Sequence, residues 1–403
     1  MRRSIAFIAI AVLGSSVYGI RSYADRVASP LTLTELRTTD GSIALQNLDA
    51  QIAGEQRLGE KRPLTVPQQS GIIELIAQRG QILGSISDYE KADALAAELV
   101  AKNPDDAKAY LTRASTHSTF HRFSDALADI NAAEARGVRG APIESPRASI
   151  LQATGKYEEA LKLRESLASR KNDIQSIGAL ATLYGEMGDL DKAEATFSKA
   201  LTRYRDVSPF PVAWLYFQEG AMFMRYGELQ RAREFFENAH ERVPAYKAAQ
   251  GHLAEVLAAL GDTDRAIELL RPLASGADDP DYAAQLARIL VERGQSDEAS
   301  KWRSLAAARY DALMSGHPQA FADHACEFWL AAGDDAKKAF GYARTNLELR
   351  PTPRAHELYL QAALKAGEKK AVCDDLPEAL KVGRPTPALA DAIRAANQLC
   401  AAR

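Results

Sequence analysis

The sequence predicts an all-α solenoid of about nine helix pairs that ends in a capping helix. Three observations predict it. A small residue recurs at a spacing of 33 or 34 in six of eight intervals. A turn-forming residue precedes it by five positions in most units, and apolar residues recur at helical spacing within each unit. Such phase-keeping over some 280 residues is typical of repeat architectures.

The recurring small residue marks one unit after another. It is Ala92, Ala126, Ala160, Ala193, Ala232, Ala266, Ala299, Ala339 and finally Val372. Successive spacings are 34, 34, 33, 39, 34, 33, 40 and 33, so two intervals carry an insertion. A small side chain at this place lets two helices approach closely.

Turn and break residues keep the same phase. Glycine stands five residues before the small residue at Gly155, Gly188, Gly227, Gly261, Gly294 and Gly367. In the eighth unit Gly333 is displaced by one position, and Ser87 and His121 replace glycine in the first two units. Glycine can adopt positive φ and end a helix. Proline follows the small residue by twelve positions at Pro104, Pro244 and Pro351, where it prevents the second helix from continuing.

The fourth unit shows the helical apolar pattern. Ile177, Leu180, Ala181 and Tyr184 lie at i, i+3, i+4 and i+7 of its first helix. Ala193, Phe197 and Ala200 continue the stripe on its second helix. Each helix therefore has one face suited to burial against its neighbours.

These units resemble the tetratricopeptide repeat. The fifth unit supplies Tyr216, Gly220, Phe223, Ala232, Phe236, Ala239 and Pro244, and the sixth supplies Leu253, Ala254, Leu257, Ala266, Leu270 and Leu273. The resemblance covers residues 68–384. It implies a right-handed superhelix with a concave groove that binds another protein or a peptide.

Three residues depart from the family pattern. Glu219 stands where the family has leucine, and Arg164 and Arg303 stand where the second helix should carry a large apolar residue. Either the units with arginine pack more loosely, or the arginine stems lie across apolar surface.

The resemblance also indicates which side chains face the groove, because the first helix of each unit lines it in this family. Counting back from the phase residues gives Trp214, Phe217, Met224, Arg225, Glu255, Asp281, Arg288 and Glu292. Large aromatics beside an arginine are typical of interface hot spots. The alternative is that the preceding insertion folds over Trp214 and Phe217, through Phe210.

The segments outside the repeat have separate predictions. Residues 1–24 have the basic start, apolar stretch and small residues of a signal peptide, although Arg21 disturbs the cleavage site. An uncleaved inner-membrane anchor at residues 4–20 is the alternative. Residues 25–67 are a helical cap or a linker, and residues 385–403 form the capping helix. We therefore expect a bacterial protein that is periplasmic or secreted.

Two insertions interrupt the repeat, at residues 204–211 and 310–318. Insertions in repeat arrays usually form loops between units, often on the binding face. Each is either a shaped loop that touches a partner or a local irregularity that changes the curvature of the superhelix.

The sequence offers little for catalysis or metal binding, and we predict a non-enzymatic protein without a cofactor. His117 and His121 share a helix face but lack a third ligand, and the Asp323, His324 and Glu327 group lacks a partner motif. Cys326, Cys373 and Cys400 have no metal-ligand spacing. Cys373 and Cys400 either form a disulfide or are buried as apolar residues.

The leading functional hypothesis is an exported scaffold or adaptor that binds a protein through its groove, in the assembly of an envelope complex. The net charge of −3 gives no electrostatic reason to expect nucleic acid. The alternative is a periplasmic protein that binds a small ligand or metal through residues 310–330.

Overall fold

The computed structural model describes residues 36–401. The predicted signal segment, residues 1–24, lies outside the described residues. The chain divides into a unit of residues 1–37 and a unit that begins at Thr38, and the account below concerns the second. In the described part, no helix is both long and apolar enough to cross a bilayer.

The described residues form twenty α-helices. They are α1 (Gly41–Lys61), α2 (Val66–Leu83), α3 (Ile86–Lys102), α4 (Ala107–Thr119), α5 (Phe123–Ala135), α6 (Ala141–Ala153), α7 (Tyr157–Lys171), α8 (Ile174–Glu186), α9 (Leu190–Arg203), α10 (Phe210–Arg225), α11 (Leu229–Arg242), α12 (Lys247–Ala259), α13 (Thr263–Gly276), α14 (Asp281–Glu292), α15 (Ser296–Gly316), α16 (Pro318–Leu330), α17 (Ala336–Leu349), α18 (Pro353–Ala366), α19 (Lys369–Ala379) and α20 (Pro387–Ala401).

Helices α2 to α19 pair into nine antiparallel units, which confirms the predicted solenoid. Every phase residue from Ala92 to Val372 lies on the second helix of its unit and is at most 2% exposed. No larger side chain would fit there without moving the helices apart, since protein cores are close-packed. The phased small residues are thus the contact points of the repeat.

The turns between paired helices follow the predicted pattern with two corrections. The phase glycines from Gly155 to Gly367 all have positive φ, and His121 takes φ 54° in the second unit. In the eighth unit the turn position is held by Asp334 at φ 49°, not by the displaced Gly333. In the first unit Gly84 at φ 56° makes the turn, and Ser85 caps α3 by accepting from the Asp88 amide.

The predicted breaks are also observed. The helices α3, α11 and α17 each end two residues before Pro104, Pro244 and Pro351. The ring of proline cannot fit the next helical turn, and proline has no amide hydrogen to donate.

The N-terminal helix α1 is capped by Asp40, whose carboxylate accepts from the amides of Ser42 and Ile43 at 2.9 and 3.1 Å. Its buried face carries Ala44, Leu48 and Ile52 and packs on α2. Just before it, the Thr39 amide donates to Val207 O at 2.7 Å. The first insertion therefore begins as a loop, and this loop contacts the segment directly before α1.

The second insertion is not a loop. Helix α15 continues to Gly316, so that the extra residues lengthen the second helix of unit seven, and α16 begins at once with Pro318. The glycine and proline in the run Ser315-Gly316-His317-Pro318 are residues that often end helices. Gly316 is nevertheless helical, and only His317 leaves the helix. His317 then stacks on Phe120, with ring centroids 4.1 Å apart.

The last helix α20 closes the solenoid, as predicted. Leu389, Ala392 and Ala396 pack against α18 and α19, and the opposite face is exposed. A disulfide joins Cys373 to Cys400, with Cα atoms 5.7 Å apart, and ties α20 to α19. Cys326 is a buried free thiol.

Successive turns of the superhelix touch each other along a seam. The turn of unit one at Gly84 contacts Lys247 and Tyr282 in units six and seven. The turn of unit two follows, with His121 Nδ1 lying 3.1 Å from Gln319 O in unit eight.

The seam continues through the next two units. Gly155 packs against the carbonyl of Pro351, and Arg350 Nε donates to Ala153 O at 3.3 Å. Gly188 packs against Arg384, directly before α20. One superhelical turn therefore takes five to six units, and adjacent turns leave no gap at these points.

Two turn glycines offer a matched test of the seam. Gly155 and Gly294 have almost the same φ, 75° and 74°, but a Cβ at Gly155 would overlap Pro351 O, whereas one at Gly294 would meet nothing within 4 Å. We expect Gly294→Ala to lose about 1–2 kcal/mol from the left-handed backbone. Gly155→Ala should lose that and about 1–3 kcal/mol more through overpacking. Urea unfolding of both variants measures the difference, and equal losses would contradict a closed seam.

Candidate functional site

The first helices of the units enclose a row of cavities inside the superhelix. The apolar chamber, about 450 Å³, lies between α2, α6, α7, α8 and α10. The arginine chamber, about 310 Å³, is lined by Arg225, Arg350, Arg354 and Arg384 among others. The polar chamber, about 590 Å³, lies between α10, α12, α14, α16, α18 and the start of α20.

The three chambers adjoin one another. Ser149 and Arg164 line both the apolar and the arginine chamber. Arg225, Arg354 and Glu357 line both the arginine and the polar chamber. We call this series of adjoining chambers the passage; carboxylates line its arginine and polar chambers but not its apolar chamber.

The structure gathers five of the eight predicted groove residues in the polar chamber. They are Met224, Arg225, Glu255, Asp281 and Arg288. Trp214 lines the apolar chamber instead, on the same wall as Phe210. Glu292 lies outside the polar chamber, where its carboxylate is 3.1 Å from Arg288.

Phe217 is half-buried and packs within the protein. Its ring centroid lies 5.8 Å from Phe236, 5.3 Å from Tyr246 and 5.4 Å from His252. The aromatic side chain thereby links the first helix of unit five to its second helix and to unit six, so its contacts are mainly structural.

A charged network joins the predicted groove residue Asp281 to the Asp323–His324 segment on the wall of the polar chamber. His324 Nδ1 is 2.9 Å from Asp281 Oδ2, and the buried Tyr310 hydroxyl donates to Asp281 Oδ1. Arg350 Nη1 donates to Asp323 Oδ2 at 3.2 Å. Tyr310 lies on the second helix of unit seven and Arg350 directly follows the second helix of unit eight, so the contacts with Asp281 and Asp323 each form within one unit. The superhelical winding in addition brings Arg350 to Ala153 at the seam.

Opposing charges set the protonation of this network. Burial lowers the pKa of His324, but Asp281 and Asp323 outweigh it and raise the pKa to about 10. The pKa of Asp279 is raised to about 6, first by burial and then by the charge of Asp281. His324 is therefore a cation at neutral pH.

Comparison with known families fits the repeat assignment. Tetratricopeptide-repeat profiles match residues 174–207 and 223–289, which correspond to unit four and to the stretch from unit five to unit seven. This chain is a tetratricopeptide-repeat protein. No curated protein matches it.

Solved structures resemble the chain only distantly. The human IFIT1 dimer with PPP-AAAA is 16% identical with a TM-score of 0.47, and the match covers 83% of this chain and 78% of that chain. The APC/C hetero-tetramer Cut9–Hcn1 is 15% identical with a TM-score of 0.44, over 83% and 67% of the two chains. Yeast Tom70 is 14% identical with a TM-score of 0.33, over 89% and 96%. Likenesses this distant carry no argument about partners.

The tetratricopeptide repeat is a protein-interaction fold, so the chain is a protein-binding scaffold in that general sense. The fold typically works without catalysis.

The residues weighed for a metal site have other partners. Asp323 pairs with Arg350, Glu327 pairs with Arg354, and His324 pairs with Asp281. The two histidines considered as metal ligands, His117 and His121, also contact different partners. His117 Nδ1 lies 3.2 Å from Asp129, whereas His121 contacts Gln319 at the seam. In residues 36–401, no group of three potential ligands is placed to hold a metal ion.

The charge of His324 depends on Asp281, which gives a pH-dependent prediction. In Asp281→Asn the pKa of His324 should fall from about 10 toward the ordinary value near 6.5, as measured by NMR titration with His324→Gln to assign the signal. Because folding raises the pKa of His324, the stabilisation of the folded state by the protonated His324 is complete below about pH 6.5. That stabilisation is lost as the pH rises through about 10. Wild type should therefore lose more stability than Asp281→Asn across that window.

The exposed Asp311, which pairs with Lys338, supplies the control. Asp311→Asn should leave the titration of His324 unchanged. If Asp281→Asn leaves it unchanged as well, the assigned ion pair is wrong.

Proposed function

We propose that this protein is an exported scaffold that holds an extended segment of a partner protein inside its superhelix, in the assembly of an envelope complex. Arg225 carries the proposal. It lines both the arginine and the polar chamber, and within residues 36–401 its guanidinium has no hydrogen-bond or ion-pair partner. A free arginine at the junction of two adjoining cavities suits an acidic or carbonyl group of an incoming chain.

The seam limits what can enter. Because the turns of units one to four contact the segments five to six units later, the wall of the passage is closed along one side. The chambers of about 310–590 Å³ are the size of small-ligand pockets rather than of folded domains. An extended peptide suits this space, since it can place one side chain after another in successive chambers.

The distribution of charge would fix the direction of the segment. Apolar side chains of the partner suit the chamber with Trp214, and its polar side chains suit the chamber with Glu255, Asp281 and Arg288. Complementary charges of this kind contribute mainly to specificity and register.

Export is supported by the cysteine pair. The disulfide between Cys373 and Cys400 is of the structural kind found in oxidising compartments such as the periplasm. The signal-like composition of residues 1–24 supports the same proposal.

The proposal predicts that the double variant Trp214→Ala/Arg288→Ala loses its partner without unfolding. Each side chain lies on a chamber wall and is only half-buried, so binding should suffer more than stability. Affinity capture from periplasmic extract, quantified by mass spectrometry, should show the partner of wild type reduced about tenfold or more, as for loss of a hot spot.

The control is Arg271→Ala, which removes an exposed ion pair with Glu298 on the second helices of units six and seven. It should capture the partner like wild type. Equal capture by the double variant would refute binding in the passage. The same captured chains test export, because Cys373 and Cys400 recovered as free thiols from cells would contradict it.

A further inference from the structure

Arg164 is a buried cation without a counter-ion. It occupies the place where the repeat carries a large apolar residue, and it is only 7% exposed. Its Nη2 donates to two neutral acceptors, Ser149 Oγ at 2.9 Å and Gln152 Oε1 at 3.3 Å. Its Nε has no partner, and no described carboxylate lies within ion-pair distance of the guanidinium. Burying a charge in this way is costly unless an anion offsets it.

The charge itself persists in this position. Burial lowers the pKa of Arg164 to about 10, and the carboxylate of Glu186 opposes that effect. Glu186 does not contact the guanidinium directly, since its Oε1 accepts from Gln152 Nε2 at 3.0 Å. Arg164 is thus protonated at neutral pH and lacks a direct anionic partner within the protein.

The chamber beside Arg164 is apolar and positive. Ile82, Leu167, Ile174 and Trp214 contribute to its wall, and no aspartate or glutamate lines it. The charged residues on its wall are Arg164 and Lys171, and Lys171 already pairs with Asp173 at 3.2 Å. One unmatched positive charge therefore faces about 450 Å³ of mainly apolar space, within the range of small-molecule sites.

We propose that the apolar chamber binds a medium-chain carboxylate, with the carboxylate at Arg164 and Ser149 and the hydrocarbon chain against Leu167, Ile174 and Trp214. A monoanionic head matches a single unmatched guanidinium, and arginine prefers the planar carboxylate. The apolar chain gains by leaving water for the chamber. This site goes beyond the proposed protein-binding role and is argued independently of it, although a bound carboxylate and a partner segment would compete for the same chamber.

Trp214 can report on the ligand directly. In the variant Trp302→Phe/Trp329→Phe it is the one remaining tryptophan of the sequence. The probe is 12-bromododecanoate, used below the concentration at which it forms micelles, because bromine quenches a tryptophan that it touches. We expect saturable quenching, reversed by dodecanoate but not by an equal concentration of dodecanol. Absence of saturable quenching, or equal reversal by the alcohol, would overturn the proposal.

The chain contains a matched control for the head group. Arg303 occupies the same repeat position as Arg164, four residues after its phase alanine, but is exposed. In the single-tryptophan background, Arg164→Met should weaken binding of the bromo acid about tenfold or more, as expected when a charged hydrogen bond is lost. Arg303→Met should leave it unchanged.

Equal affinity in the two variants would show that Arg164 does not bind the carboxylate, which refutes the site as described. If Arg164→Met fails to fold, the comparison of dodecanoate with dodecanol in the parent variant decides the question alone. If the carboxylate does not bind, capture of a protein partner by the full chain can still succeed. Failure of this site and failure of the proposed function can therefore be told apart.

Discussion

The contact between successive superhelical turns is the constraint on which the rest of the structure depends. Five turn residues of the repeat, from Gly84 to Gly227, lie near residues that are far away in sequence. Four of those contacts, at Gly84, His121, Gly155 and Gly188, bring a positive-φ turn against the backbone or Cβ of a residue distant in sequence. By contrast, Gly261, Gly294 and Gly367 meet nothing within 4 Å. The turn residues late in the chain thus only end a helix, whereas those early in the chain also pack against the next superhelical turn.

Closure of the seam explains the character of the interior. First helices that would line an open groove instead line three adjoining chambers. Opposite charges lie close together on the walls of these chambers, as His324 Nδ1 and Asp281 Oδ2 do at 2.9 Å. Two of the chain's departures from the repeat pattern are buried polar groups: Arg164 is 7% exposed and Glu219 is 4% exposed. Burial strongly raises the pKa of Glu219. Such residues cost stability, and Glu219 lines none of the chambers, but Arg164 lines both the apolar and the arginine chamber. The burial of Arg164 therefore favours a functional role for that part of the interior.

Local features of the fold could be predicted from the sequence because a repeat expresses the same local rule many times. The phase alanines, the turn glycines and the closing prolines each depend on contacts within one unit or with the next, and the structure confirms them. Of the two alternatives for the second insertion, the shaped loop is excluded, because Gly316 stays helical and only His317 leaves the helix before Pro318. The site was only partly predictable. Position counting placed Met224, Glu255 and Asp281 together, but it could not show that Arg350 reaches Ala153 at the seam, since that depends on winding over five to six units.

The closed seam is the central claim, and a distance across it tests the claim most directly. Spin labels at Lys156→Cys and Glu348→Cys, in a Cys326→Ser background, lie on exposed positions close to the Gly155–Pro351 contact. Pulsed electron paramagnetic resonance should give one short and narrow distance distribution, although the labels are 192 residues apart in sequence. A long or broad distribution would show an open superhelix, and the enclosed chambers would then not exist in solution.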